Sequence, residues 1–209
     1  MPRITPFENH VSQYETWFAN NPLVFEAELH AVQSLLPPGD IGIEIGVGTG
    51  RFAARLGIAF GLEPSPRMRS VAAQRGIQLL SGVAEDLPLQ SDFFDFALMV
   101  TTVCFLDNPY KAFREVHRIL KKDGCFLVAF VDRNSPLGQL YEVNKEENVF
   151  YRDATFYATK EIIEIMELSG FSRFTCQQTL FHGLAETSLD EPVLPGYGKG
   201  SFVVLRGEK

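Results

Sequence analysis

The stretch Ile41-Gly42-Ile43-Glu44-Ile45-Gly46-Val47-Gly48-Thr49-Gly50 decides the reading of this chain. Ile41, Ile43 and Ile45 form a short β-branched run. Gly46, Gly48 and Gly50 follow, directly before the helix-like Phe52-Ala53-Ala54-Arg55-Leu56. Strand, glycine loop and helix open a βαβ unit whose glycines lie at the carboxyl edge of a parallel sheet. There they let the chain turn sharply and let a ligand approach without meeting Cβ atoms. A glycine turn with no ligand is the plainer alternative, but clustered glycines lower local stability without a compensating reason. A dinucleotide site calls for G-x-G-x-x-G, with a pyrophosphate at the helix N-terminus. Here the spacing is G-x-G-x-G, and Arg51 holds the third dinucleotide position.

Outward from this segment, the apolar run Ile58 to Leu62 reads as a second strand and ends in Glu63. Pro64-Ser65-Pro66 then starts a helix that runs to about Arg75 and stops at Gly76. A carboxylate at the end of the second strand can accept hydrogen bonds from both hydroxyls of a ribose, a geometry shared by nicotinamide and adenosyl cofactors. The alternative for Glu63 is an ordinary exposed glutamate. Ile77 to Leu80 reads as a third strand, and Phe94 to Val103 contains a fourth. Asn108 is placed to cap a helix with Pro109 in its first position and Ala112, Phe113, Val116, Ile119 and Leu120 at helical spacing. Lys121 and Lys122 suit its C-terminal dipole and Gly124 its end. Cys125 to Val131 is the continuous apolar run of a central strand covered on both faces.

Before the first strand, Tyr14 to Leu36 reads as one or two helices interrupted near Asn20-Asn21-Pro22 and ended by Pro37-Pro38-Gly39. After the fifth, Asp132 to Thr159 is polar, aromatic-rich and weakly patterned, the kind of long insertion that often carries function. Thr159 is expected to cap a helix bearing Ile162, Ile163, Ile165, Met166 and Leu168 and stopped at Gly170. Two last strands, Phe171 to Phe181 and Ser201 to Leu205, are joined by a loop through Pro192, Pro195, Gly196 and Gly198, which allows an antiparallel pair. Alternating strands and helices make this a parallel α/β chain.

Composition narrows the functions available. The chain has 209 residues, 45% of them hydrophobic and 22% charged, which suits one doubly wound domain with a buried core. A formal net charge of −7 argues against a nucleic-acid backbone or an anionic membrane as the main partner and favours a small molecule. The N-terminus lacks the apolar core of a signal peptide, and the longest apolar run is too short to span a bilayer, so a cytoplasmic protein without membrane insertion is expected. Cys104, Cys125 and Cys176 are isolated, matching neither a disulfide framework nor a thiolate metal site; buried free thiols and no metal are expected.

On four elements in order, the chain resembles the class I S-adenosylmethionine-dependent methyltransferases, in particular the small-molecule branch that includes the ubiquinone and menaquinone biosynthesis methyltransferases. Glu44 to Gly50 matches the acidic-aliphatic-G-x-G-x-G motif, and Glu63 matches the acidic residue ending the second strand. Gly82-Val83-Ala84-Glu85-Asp86-Leu87-Pro88-Leu89, followed by Phe94-Asp95, is similar to the family's G-D-A-E-x-L-P-F and F-D elements. Arg114 to Gly124 is similar to the helix-and-glycine segment before the fifth strand. The resemblance covers about Gly39 to Val131, with a looser echo at Ser169-Gly170-Phe171 and the final strand.

The resemblance implies a single Rossmann-like domain over 1–209, with an N-terminal helical segment (1–38), a cofactor-binding core (39–131) and a substrate-side segment with the last strands (132–209). Its mostly parallel seven-stranded sheet is expected in the order 3-2-1-4-5-7-6, strand 7 antiparallel, with helices on both faces. S-adenosylmethionine is then expected against Glu44, Gly46, Gly48, Gly50, Glu63, Pro64, Met68, Val83, Ala84, Glu85 and Thr101, and methyl passes to a small-molecule acceptor. Val83 stands where the family usually has an aspartate that receives the adenine amino group. The Ala84 amide still offers a donor to the ring, and Glu85 or Asp86 an acceptor.

A sulfonium makes its methyl group electrophilic, so such an enzyme mainly aligns nucleophile, methyl and sulfur and excludes water. No dominant catalytic residue need stand out, and none is assigned. His10, His30, His117 and His182 are the histidines available as bases, with surface or packing roles as the plainer reading. Tyr14, Trp17 and Phe18 are placed either to close over the cofactor or to pack as a hydrophobic helix face. Two rivals remain: a nicotinamide-dependent oxidoreductase, disfavoured by the glycine spacing and the lack of a Tyr-x-x-x-Lys dyad, and a non-catalytic adenosyl-ligand binding protein.

Overall fold

The computed structural model describes residues 4–38 and 41–209. Three helices precede the sheet: α1 (Thr5–Asn9), α2 (Val11–Asn20) and α3 (Pro22–Leu35). The break between α2 and α3 falls at Asn21-Pro22, because proline fits a first helical turn but not a helix interior. Then β1 (Gly42–Ile45), α4 (Arg51–Leu56), β2 (Phe60–Leu62), α5 (Pro66–Gln74), β3 (Gln78–Leu80) and β4 (Phe94–Val100) alternate along the chain. They are followed by α6 (Pro109–Ile119), β5 (Leu120–Val131), α7 (Pro136–Asn144), α8 (Thr159–Leu168), β6 (Ser172–Thr179), β7 (Leu194–Pro195) and β8 (Phe202–Glu208).

The sheet runs β3-β2-β1-β4-β5-β8-β6-β7. From β3 to β5 all pairings are parallel, and β8 lies antiparallel to both β5 and β6. The expected order is therefore present with β8 as the seventh strand, and one short strand is added at the edge. That strand, β7, sits inside the expected loop and pairs Gln177 with Pro195. Proline is tolerated there because an edge strand has no outer neighbour to receive an N–H.

The helix after β4 ends earlier than its lysines suggest. Leu120 already pairs with Phe94, Lys121 forms an ion pair with Asp95 at 2.7 Å, and Asp123 turns the chain with φ 68° before Cys125 rejoins the ladder opposite Phe96. Pairing to β4 thus takes over from the helix, and His117 and Arg118, not Lys121 and Lys122, occupy its last turn. Its start is as expected: the Asn108 side chain accepts the Lys111 N–H at 2.9 Å. Thr159 is the first residue of α8 instead of its cap. Its hydroxyl donates to the Asp132 carboxylate, and Glu161 accepts the Ala158 N–H at 2.7 Å in its place.

Side chains along β5 alternate between the two layers. Cys125, Leu127 and Ala129 face α3, α4 and α5, whereas Phe126, Val128 and Phe130 face α6 and α8. Both faces are therefore dry, which leaves the carboxyl edge of the parallel strands as the natural place for a ligand. Among the described residues no helix is long and apolar enough to cross a membrane.

Candidate cofactor and acceptor site

A cavity of about 650 Å³ opens at that edge, over the ends of β1, β2 and β4. After β1 the chain bends toward β2, with the Gly46 and Val47 N–H groups donating to the Leu62 carbonyl at 2.8 and 3.0 Å. Gly46, Gly48 and Gly50 take φ of 72°, 55° and 83°, the left-handed region that L side chains avoid. Their surroundings differ. Gly48 faces the cavity, where an added Cβ would lie 3.1 Å from the Tyr14 hydroxyl, whereas Gly46 borders it but a Cβ there would collide with the Thr102 side chain. A Cβ on Gly50 would run into Ile77 and Ala72 instead, so this glycine seats α4 against α5 and does not line the cavity.

Glu63 carries the polar end of the site. It is 7% exposed, which excludes the surface reading, and it borders the cavity. Oε2 accepts the Gly48 N–H at 3.0 Å and Oε1 accepts the Ser65 N–H at 2.9 Å. Each oxygen keeps a second lone pair, so the carboxylate is aimed and held while retaining capacity for two further donors. Burial raises its pKa above the usual carboxylate value, opposed by those two N–H bonds. Ser65 in turn caps α5 by accepting the Met68 N–H at 3.2 Å.

Pro64, Met68, Val83, Ala84, Glu85 and Thr101 also line the cavity. Thr101 has φ 47°, an uncommon conformation for a β-branched residue, at the point where β4 gives way to the cavity wall. Glu85 is engaged, its Oε1 accepting the Asp107 and Asn108 N–H groups at 2.9 and 3.2 Å, and Asp86 is not on the cavity wall. Glu44 also lies away from it. It is buried under α4, hydrogen-bonded to the Ala53 N–H, with Oε2 unpartnered among the described residues, and burial pushes its carboxyl up to about 8.

The N-terminal helices close the other side. Tyr14, Trp17 and Phe18 all line the cavity. Glu15 fastens α2 to Arg51 and Arg75, both at 2.7 Å, and the Arg51 guanidinium lies 4.8 Å over the Phe18 ring. Arg51, at the position a dinucleotide motif would give to glycine, is thus part of the clasp that holds this cover down. His10, His30, His117 and His182 are all outside the cavity wall. Burial lowers the His117 pKa, and its ring packs on Phe171 at 5.2 Å.

Several wall residues went unrecognised in the sequence. Thr102, Phe105, Tyr141 and Tyr151 come from the segments after β4 and β5, and Glu28 from α3. Only Glu28 carries a local signal: a lone acid four residues after Val24 and four before Val32, in the stripe of α3 that is otherwise buried and apolar.

The cradle fits an adenosyl cofactor on its own geometry, since the glycine turn at Gly46 and Gly48 borders the cavity and an anchored carboxylate stands beside it. Comparison with known proteins agrees. A family model described as a methyltransferase domain matches residues 43–128. The crystal structure of a SAM-dependent methyltransferase from Thermotoga maritima, described as a "possible histamine N-methyltransferase", is 51% identical, superposes with a TM-score of 0.96, and the match covers 99% of each chain. An uncharacterized Methanocaldococcus jannaschii protein is 38% identical over 203 residues, 97% of this chain and 98% of that one. A SAM-dependent methyltransferase from Archaeoglobus fulgidus, at 13% identity and TM-score 0.73 over 96% of this chain and all of its own, shares the fold. The glycine cradle, the carboxylate at the end of β2 and the full-length likeness to the Thermotoga maritima enzyme converge: the chain belongs to the S-adenosylmethionine-dependent methyltransferases.

Proposed function

We infer that this protein transfers a methyl group from S-adenosylmethionine to a small-molecule acceptor enclosed between the sheet edge and the N-terminal helices. The observation that carries the reading is Glu63, oriented by the Gly48 and Ser65 amides and facing the same cavity as the glycine turn. In this reading Glu63 receives the two ribose hydroxyls. The glycine turn at Gly46 and Gly48, which borders the cavity, admits the amino-acid end. Pro64, Met68, Val83 and Ala84 enclose the adenine, and Thr101 flanks the reacting end. Glu44 and Gly50 act indirectly, by seating α4 behind the turn. When bound, the cofactor supplies an electrophilic methyl on a sulfonium. The chain's own work is to align the acceptor with that methyl and keep water out. Tyr14, Trp17 and Phe18 provide the cover.

A thermal-shift panel tests this. S-adenosylhomocysteine at a hundred times its dissociation constant should stabilise the fold by about 2.7 kcal/mol, with NAD and NADP inactive. Stabilisation by NAD alone would overturn the reading.

A further inference from the structure

Glu28 is 6% exposed, yet among the described residues it has neither a hydrogen bond nor an ion pair. Among the described residues no cation faces it, and burial pushes its carboxyl up to about 8. The residue borders the cavity, so the polar partner it lacks can be supplied by whatever enters there. Its side chain sits in a buried stripe while its carboxyl reaches the cavity, and an apolar residue would serve the packing of α3 better at this position.

The groups around it are aromatic. Tyr14, Tyr141 and Tyr151 line the same cavity as Glu28. Tyr141 packs on Tyr151 with centroids 5.0 Å apart, and Tyr151 stacks on Phe105 at 6.1 Å. Ring faces attract a cation and offer nothing to an anion, and a single carboxylate among them selects positive charge.

Resting on the methyltransferase reading above, we propose that Glu28 and the rings of Tyr14, Tyr141 and Tyr151 form the acceptor subsite, and that the acceptor is a small primary or secondary amine. The amine enters as an ammonium ion paired with the Glu28 carboxylate and gives that carboxylate one proton. The nitrogen lone pair thus freed forms the N–C bond to the methyl carbon as the C–S bond breaks, and the C–S electron pair stays on sulfur. The product leaves as an N-methylammonium ion, and Glu28 returns its proton to solvent. A carboxyl whose proton affinity is raised by burial accepts a proton more readily than an exposed one, which suits this exchange.

The test uses the full chain loaded with S-adenosylhomocysteine, as wild type, Glu28→Gln and Glu28→Asp. Ligands are primary amines graded from ethylamine to tryptamine, each with its matching alcohol and carboxylic acid. Binding is followed by calorimetry and, for the smaller non-indole ligands, by the fluorescence of Trp17, the sole tryptophan and part of the cavity wall. At least one amine should bind the wild type more than tenfold tighter than its alcohol and acid. Glu28→Gln should lose at least tenfold of that affinity, and Glu28→Asp should regain part of it. S-adenosylhomocysteine affinity should stay within twofold across all three chains. Equal amine binding by Glu28→Gln, preference for an alcohol or acid, or no amine binding while S-adenosylhomocysteine binds each overturns the proposal. Failure of S-adenosylhomocysteine to bind the wild type overturns the methyltransferase reading itself. If Glu28→Gln does not fold, the wild-type preference and the Glu28→Asp affinity decide.

Discussion

On its sheet side the cavity is walled by turns whose polar groups are tied to one another, Glu63 to two backbone amides and Glu85 to two more. On its helical side the wall is a set of rings from α2, α7 and the segment before α8, around a carboxyl that is tied to nothing in the described chain. The first half is preorganised and gains little from tightening further. The second keeps a carboxyl without a partner among the described residues, open to pairing with whatever enters the cavity. In the proposed reading the sheet side serves the cofactor and the helical side decides what is methylated.

The largest expected effect tests whether the helical side really stores that cost. In the unfolded chain Glu28 ionises near 4.5, whereas the folded chain holds its proton up to about 8. Between those values the folded state binds more protons than the unfolded one. The contribution is complete below pH 4.5 and is lost as pH rises through 8. Glu44, also pushed up to about 8, adds a parallel decline. Glu28→Gln removes one of the two, so the ligand-free variant should match the wild type at pH 5 and exceed it at pH 9 by on the order of a few kcal/mol. Urea midpoints across that range measure the gap. Parallel curves for the two chains would mean that Glu28 finds compensation in the fold and that the two halves do not differ in this way.

The same contrast explains what the sequence disclosed. Cofactor recognition relies on backbone shape, and shape leaves local marks: glycines at positive φ, an acid ending a strand, a Ser-Pro helix start at Ser65-Pro66. The places of Glu63 and the Gly46–Gly48 turn on the cavity wall are legible in the sequence for that reason. Gly50 and Glu44 share the motif but serve the seating of α4, a division that spacing alone does not reveal. The early end of α6 at Ile119 is not visible locally, because Lys121 and Lys122 suit a helix end while the pairing of Leu120 with Phe94 is a long-range contact. Tyr141 and Tyr151 lie in a weakly patterned insertion, and only the closed fold brings them to the same cavity as Glu28. Rings gathered from distant segments have no common period to read.

A second, smaller effect sharpens the cofactor side. Glu63→Ala removes the proposed ribose contact and should weaken S-adenosylhomocysteine binding by about 1.5 to 3 kcal/mol. Because the same carboxylate accepts the Gly48 and Ser65 amides, some loosening of the turn should accompany it, seen as faster hydrogen exchange at those amides. The fold should persist, since the strands and both cores are untouched. Calorimetric affinity equal to wild type would remove Glu63 from the cofactor's contacts.

The smallest effect concerns Val83, the residue that departs from the family's aspartate. Its side chain lines the cavity and is half-buried, and its carbonyl accepts the Asp86 N–H at 3.2 Å. Val83→Asp would place an acceptor where the adenine amino group lacks one, a charge-assisted bond worth up to about 1 to 2 kcal/mol. Two terms oppose it. The new carboxylate loses part of its hydration, and it enters a stretch that already holds Glu85 and Asp107 on the cavity wall. Both are moderated because the site opens to water and salt screens the repulsion. Glu85 cannot easily take over the task, being committed to the amides of Asp107 and Asn108. The expected net result is tighter S-adenosylhomocysteine binding by under about 1 kcal/mol, larger at high salt than at low. Val83→Asn separates the terms, since it offers an acceptor without the charge and should tighten binding independently of salt. Weaker binding by both variants would show that adenine is read through the Ala84 amide and apolar contact with Val83, and that this part of the sheet side has traded a polar anchor for packing.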